Sequence, residues 1–156
     1  MPDVAQDNDD TPVLEVAGLS VDIDVPAGAL HAVSDVDFHV GRGETFCLVG
    51  ESGCGKTISA LATMRLLPRR ARMRATRLIL DGTDLQSLSA TAFARLRGDR
   101  MAMIFQDPMT SLNPVYTIGN QLAEVYVRHG KGGRREARDR AMHLLDRVGI
   151  MAPAAR

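Results

Sequence analysis

The 156-residue sequence is short of several things at once, and each shortage removes a class of function. It has two cysteines, Cys47 and Cys54, whose spacing suits neither a zinc site nor a disulfide framework, so reduced thiols are expected. It has no net charge: 19 Lys and Arg balance 19 Asp and Glu, and no overall field draws it to nucleic acid or anionic lipid. Lysine is almost missing, being confined to Lys56 and Lys131. No apolar run approaches the roughly 18 residues that would cross a bilayer. The opening MPDVAQDNDDTP is too acidic and polar for a signal peptide. Work at a membrane would therefore go through a partner. Internal repeats and low-complexity tracts are also missing. What remains, 45% hydrophobic and 24% charged, is the composition of one soluble domain long enough to bury a core.

Residues 1–12 read as a disordered leader. VLEVAGLSVDIDV (13–25) and LHAVSDVDFHV (30–40) alternate apolar and polar positions across a PAGA break, which predicts two antiparallel strands. After a GRGE turn, the apolar TFCLVG (45–50) predicts a buried strand. TISALATMRLL (57–67) sets Ile58, Leu61, Met64 and Leu67 at helical spacing, with Pro68 as the stop. RRARMRATR is a basic stretch with no interleaved aromatics, which reads as a solvated face rather than a nucleic-acid surface. RLILDG predicts a strand ending in an Asp-Gly turn, SATAFARLRG a short helix, and MAMIFQ (101–106) a second buried strand. DPMTSLNP is a loop, because its prolines exclude regular helix. IGNQLAEVYVRH and RREARDRAMHLLDRVG predict helices. The second of these gathers Ala137, Ala141, Leu144, Leu145 and Val148 on one face, with Gly149 as its stop. Mixed strands and helices make the chain α/β.

Between the first buried strand and the first helix stands GESGCGKT. Gly50, Gly55, Lys56 and Thr57 satisfy the spacing G-x-x-x-x-G-K-[ST]. Glycines let the backbone turn tightly enough for the N–H groups of Glu51, Ser52, Gly53, Cys54, Gly55 and Lys56 to converge on one anion. The following helix adds its positive end. Lys56 would reach the β- and γ-phosphates, and the Thr57 hydroxyl would meet Mg²⁺. A nucleotide such as ATP with Mg²⁺ is the ligand this pattern suits. Cys54 reads as a small residue at a tolerant loop position.

About forty residues of antiparallel character precede the loop, and IFQDPMTSLNP follows it. On GETFCLVGESGCGKT, LILDGTDLQSLS, LRGDRMAMIFQDPMTSLNPVYTIGNQL and the last helix, the chain resembles the N-terminal part of the ATP-binding subunits of ABC transporters. The group it is most similar to is that of dipeptide, oligopeptide and nickel importers. The resemblance runs from about Val13 to the end and implies a P-loop NTPase fold. That fold would comprise an N-terminal antiparallel β-subdomain, part of a RecA-like core and part of a helical subdomain. It implies Lys56 and Gln106 as catalytic residues, with Thr57 and Gln106 on the metal; Gln106 would be the Q-loop glutamine, able to meet Mg²⁺ or hold the attacking water. Residues 107–121 would meet a coupling helix of a membrane-spanning permease subunit. It further implies a second nucleotide-binding subunit as partner, no nucleic acid, and a peripheral place on the cytoplasmic face of a bacterial-type inner membrane.

Two departures from that pattern stand out. Where the family stacks adenine on an aromatic side chain of the first strand pair, this sequence has Ile23, so apolar contact would replace stacking. The family's signature segment, its later Asp–Glu pair (Walker B) and its switch histidine (H-loop) have no counterpart; His129 and His143 fall on predicted helices, and the four histidines read as solvated or packed surface residues. Asp81 and Asp107 read as turn residues, not as the missing carboxylate. A fragment is therefore expected, with strands 45–50 and 101–106 left short of neighbours. A nucleotide-binding module that does not hydrolyse ATP stays open as the alternative.

Overall fold

The structure is a computed structural model that describes residues 11–107, 111–130 and 132–151. The first ten residues, most of the expected leader, lie outside the described residues. Backbone contacts divide the chain into two units, Met1–Phe93 and Ala94–Arg156. Among the described residues there are five strands and four helices: β1 Leu14–Val25, β2 Gly28–Val40, α1 Lys56–Thr63, β3 Ala71–Arg74, β4 Arg77–Leu80, β5 Thr83–Asp84, α2 Ala90–Leu96, α3 Ile118–Arg128 and α4 Arg134–Arg147.

The first unit is built on β1, which pairs antiparallel with β2 along one edge. Its other edge is shared: the first half takes β4 (Leu14 opposite Leu80) and the second half takes β3 (Ile23 opposite Ala71). The sheet order is β2-β1-β4-β5, with β3 beside β1. Both strands expected from the alternating segments therefore form. The alternation of β1 slips once, however. Gly18 sits at φ +61, where a Cβ would collide with the Thr76 side chain, and the register with β2 shifts between Val16 and Leu19. That bulge brings Val16, Leu19 and Val21 all to full burial. With Leu78, Leu85, Phe93, Ala62 and the α1 C-cap Met64 they make up the buried apolar core of this unit.

Three local expectations are corrected. The helix expected over 57–67 ends at Thr63, well before Pro68. Arg65 takes a left-handed conformation (φ +50), Leu66 N–H donates to Leu61 C=O and Arg65 N–H to Ala62 C=O, which is a Schellman closure with arginine in the usual glycine place. The reason is tertiary: the Arg65 guanidinium donates to the carbonyls of Leu85, Gln86 and Leu88 and lies 4.7 Å from the centre of the Phe93 ring. The basic stretch, read as a solvated face, also supplies a strand, β3. Ala71 and Met73 turn inward, while Arg72 and Arg74 turn outward to pair with Asp24 and Asp22 of β1 at 2.9 Å. Its charge is answered within the protein.

The second and third corrections concern the two buried strands. Residues 45–50 and 102–106 form no strand; Val49 is 92% and Ile104 97% exposed. An apolar strand covered on both faces needs a ladder partner and packing layers, and among the described residues nothing pairs with either segment beyond the single Arg97–Met101 bridge. Phe46 finds partial cover by stacking on Phe38 of β2, centroids 5.4 Å apart.

In the second unit, α3 and α4 form the helix pair the sequence predicts. Thr117 caps α3 by accepting from Asn120 N–H at 3.3 Å. Gln121 receives Asn113 N–H and donates to the carbonyls of Asn113 and Tyr116, folding the preceding loop back on the helix. Of the five residues expected on the buried face of α4, Ala137, Ala141 and Leu145 are buried, whereas Leu144 and Val148 are exposed. One helix neighbour covers a narrower stripe than the full apolar face. Gly149, at φ +77, closes α4 as expected.

Candidate functional site

The segment from Gly50 to Thr57 leads directly into α1. Gly53 and Gly55 stand at φ +86 and +94, a region that L side chains rarely adopt. Gly55 is also pressed against β2, because a Cβ there would come within 2.6 Å of the Ala32 carbonyl oxygen. At Gly50 a Cβ would meet the Cys54 sulfur at 2.6 Å. The glycines at 50 and 55 thus answer two different demands, closeness within the loop and closeness to the neighbouring strand.

Gly55 is the N-cap of α1 and supplies no side-chain acceptor, so the first N–H groups of the helix have no side-chain cap. The helix closes with Ser59 N–H donating to Gly55 C=O at 2.8 Å. Lys56 Nζ folds back over the loop, donating to the carbonyls of Gly50 (2.7 Å) and Glu51 (2.6 Å), with Cys54 Sγ 3.4 Å away. The ammonium is thereby held above the turn, beside the amides of the helix start. Thr57 is exposed on the first turn. A backbone that L side chains rarely adopt, an uncapped helix start and one fixed ammonium form a cradle chemically suited to an anionic phosphate. The donor set fits a phosphate chain and, through the Thr57 hydroxyl, a magnesium ion that takes its other oxygens from phosphate and water. Among the described residues no cluster of three or more His, Cys, Asp or Glu is placed to hold a metal by itself.

Beside the loop lies an open cleft of about 340 Å³, with His31, Val33, Val36, Leu48, Lys56 and Ser59 among its lining residues. Among the described residues neither Asp nor Glu lines it. Ile23 is not a lining residue either: it is half-buried in β1, opposite Leu30 on one side and Ala71 on the other. Gln106 is exposed and belongs to the second unit, whereas the loop belongs to the first. Asp81 occupies an Asp-Gly turn at φ +49 and accepts from Arg42 at 2.8 Å, as a turn residue does. Asp107 is exposed in the stretch without regular structure that follows Gln106.

The sequence reading passed over one constellation. Asp22 accepts from His31 Nδ1 at 2.6 Å with one carboxylate oxygen and from Arg74 at 2.9 Å with the other, tying β2, β1 and β3 together. The His31 hydrogen bond first, and the Arg74 charge after it, hold the Asp22 carboxyl below its usual value. A signal was available: a two-residue turn at Pro26–Ala27 sets Val25 opposite Gly28 and therefore Asp22 opposite His31. His31 is thus no plain surface histidine.

Residues 33–156, including the loop and Gln106, match the family model described as ABC transporter. The chain belongs to the ABC transporter family. It is 47% identical over 145 residues to a Brucella abortus protein named as a peptide import ATP-binding protein, covering 89% of this chain and 43% of that relative. It is 40% identical over 147 residues to the oligopeptide transport ATP-binding protein OppD of Bacillus subtilis, covering 94% of this chain and 41% of OppD. A peptide ABC transporter ATP-binding protein of Sinorhizobium fredii is 43% identical over 145 residues. The chain thus spans a little over two fifths of the length of these curated relatives. As an ABC transporter chain it has the P-loop NTPase fold that its loop and antiparallel sheet announce. Ile23 lies outside the stretch matched by the family model. Among the described residues no helix is long and apolar enough to cross a membrane.

Proposed function

We propose that this chain binds ATP with Mg²⁺ through Gly50 to Thr57, as the ATP-binding part of an importer of peptides or nickel. The observation that carries the reading is the loop itself, with Gly53 and Gly55 at positive φ and Lys56 Nζ held over the turn. Family membership and the printed names of the relatives, which speak of ATP binding and of peptide import, support the rest.

Each residue has a role in this proposal. The amides of residues 51–56 take the phosphate oxygens. Lys56 leaves its two carbonyl acceptors for the β- and γ-phosphates, an exchange of neutral for charged acceptors that strengthens each hydrogen bond. The Thr57 hydroxyl would hold a magnesium ion, which would supply charge neutralisation to the phosphate chain. Gln106, a neutral amide able to accept from water, orients the attacking water or meets the metal. In a full-length subunit the pair of nucleotide-binding domains would couple ATP binding and hydrolysis to permease subunits at the cytoplasmic face of the inner membrane. Residues 107–121 would take part in that contact.

Titration calorimetry of the 156-residue chain with Mg²⁺–ATP is expected to show binding that Lys56→Ala weakens at least tenfold, on the order of the 1.4 kcal/mol that a charged hydrogen bond supplies. Equal affinity in the two proteins would overturn the site. A phosphate-release assay on the same samples separates binding from turnover.

A further inference from the structure

A groove of about 990 Å³ runs along the seam of α3 and α4, wholly within the second unit. Ala123 and Val127 line it from α3, and Ala141, Met142 and Leu145 from α4. Residues four apart share a helix face, so 123 with 127 and 141 with 145 form an apolar strip along the pair. Small side chains on both helices, Ala123 and Ala141, let a third helix come to the usual separation of roughly 8–10 Å. Val127 is 40% exposed although apolar.

One end of the groove is basic. Arg128 of α3 and Arg134, Arg135 and Arg138 of α4 line it, against a single acidic residue, Glu124. Among the described residues none of these four arginines forms a salt bridge. Their placement works against the helix that carries them. Arg134 and Arg135 stand in the first turn of α4, at its positive end, and Gly133 supplies no side-chain cap. Glu136, the acid of that turn, is engaged by the Tyr126 hydroxyl. Arg138 follows Arg134 by four residues and Arg135 by three, spacings at which like charges repel. An anionic partner relieves that repulsion.

We infer that the α3–α4 groove takes an amphipathic helix of a partner protein, its apolar face on the strip and its carboxylates on the four arginines. A helix laid in a groove presents side chains three and four apart, which is the spacing of the strip itself. The guanidinium fork pairs with carboxylates in a defined geometry, so the basic end fixes the direction in which the helix lies. A flat anionic lipid surface would reach the arginines but leave the strip uncovered. The basic end is also separate from the contact proposed for residues 107–121, because the 11 residues of α3 set Arg128 about 16 Å from Thr117.

The test is fluorescence anisotropy of a labelled peptide on the 156-residue chain. The peptide, about 18 residues so that it can hold a helix, carries leucine in an i, i+3, i+4, i+7 pattern with glutamate between. Its control has lysine in place of glutamate. The glutamate peptide is expected to bind, and the lysine peptide at least about tenfold more weakly. Arg135→Glu combined with Arg138→Glu is expected to weaken the glutamate peptide by at least about tenfold. The same changes put acid near the positive end of α4, so the melting temperature is expected to hold or rise, and lost binding is then not lost fold. Val127→Ser is expected to weaken the peptide about fivefold through the strip. Val115→Ser, in the stretch proposed for the permease, is expected to leave affinity unchanged. Equal affinity for the two peptides, or binding of neither, overturns the inference. So does binding that ignores the arginine pair or Val127→Ser, and so does a lowered melting temperature in the arginine variant, which would make those side chains a brace of the helix pair. A loss in Val115→Ser moves the contact to 107–121 and overturns it as well. Binding to phosphatidylglycerol vesicles in place of the peptide, or an arginine-dependent dimer in sedimentation, names another occupant with the same consequence.

Discussion

Gly55 shows how much one residue can be asked to do. Its φ of +94 alone disfavours a side chain, and the Ala32 carbonyl oxygen occupies the space a methyl group would need. Gly55→Ala is expected to cost about 1–3 kcal/mol of stability, read as a shifted urea midpoint with unchanged slope, and to weaken nucleotide binding by tilting the start of α1. Gly43 and Gly82 have positive φ with open space around them, so the same change there is expected to carry the backbone strain without the collision. Arg65 is the complementary case. Its own φ of +50 is unfavourable, and its guanidinium offsets that by satisfying three carbonyls of the segment after β5. Arg65→Ala is expected to cost about 1–3 kcal/mol, since partly buried carbonyls lose their donor; a chemical-denaturation series checks it, and Arg65→Lys, lacking the planar fork, recovers only part.

At the level of elements, the helix pair in the second unit depends on few contacts. Ala137, Ala141 and Leu145 are its buried side chains, joined by the Tyr126 hydroxyl donating to Glu136 at 2.9 Å. That hydrogen bond raises the Tyr126 pKa above its ordinary value of 10.0, with desolvation second. A raised folded-state value means that the stabilisation is complete below the unfolded value and is lost as pH rises through the folded one. Alkaline titration is therefore expected to loosen α3 against α4 only above about pH 10, visible as faster amide exchange there, and Tyr126→Phe is expected to show that loosening already at neutral pH. β3 teaches the opposite lesson about elements: a run of arginines becomes a strand once two aspartates of β1 stand opposite it.

For the whole molecule, acid response is the readable property. Asp22 links three strands, and its folded pKa lies below the ordinary 3.8, because of the His31 hydrogen bond first and the Arg74 charge after it. A depressed value contributes stability that is fully present above the unfolded pKa and disappears as pH falls through the folded one. The sheet is therefore expected to hold this contribution down to about pH 4 and to lose it below. Asp22→Asn is expected to flatten that part of the acid-unfolding curve followed by circular dichroism. An unchanged curve would show that the cluster contributes nothing to the sheet.

Much of this protein was legible in its residues. The glycine-rich loop with its lysine, and the family, were readable because glycine positions and one lysine are set by backbone geometry and charge, both local properties. The β1–β2 hairpin, the Asp81–Gly82 turn and the glycine stop of α4 were readable for the same reason. Local pattern could not supply what depends on a distant neighbour. Residues 45–50 and 102–106 are as apolar as buried strands, yet a strand exists only beside another, and the described residues provide none. The end of α1 was set by Arg65 reaching the segment after β5 rather than by Pro68. The pairing of Asp22 with His31 followed from hairpin register, and the seat of His31 beside Lys56 from the packing of the loop against β2. The sequence determined the glycine spacing and the lysine of the loop; only the tertiary structure decided which side chains stand beside it, because strand pairing and loop packing bring together residues that no local spacing relates.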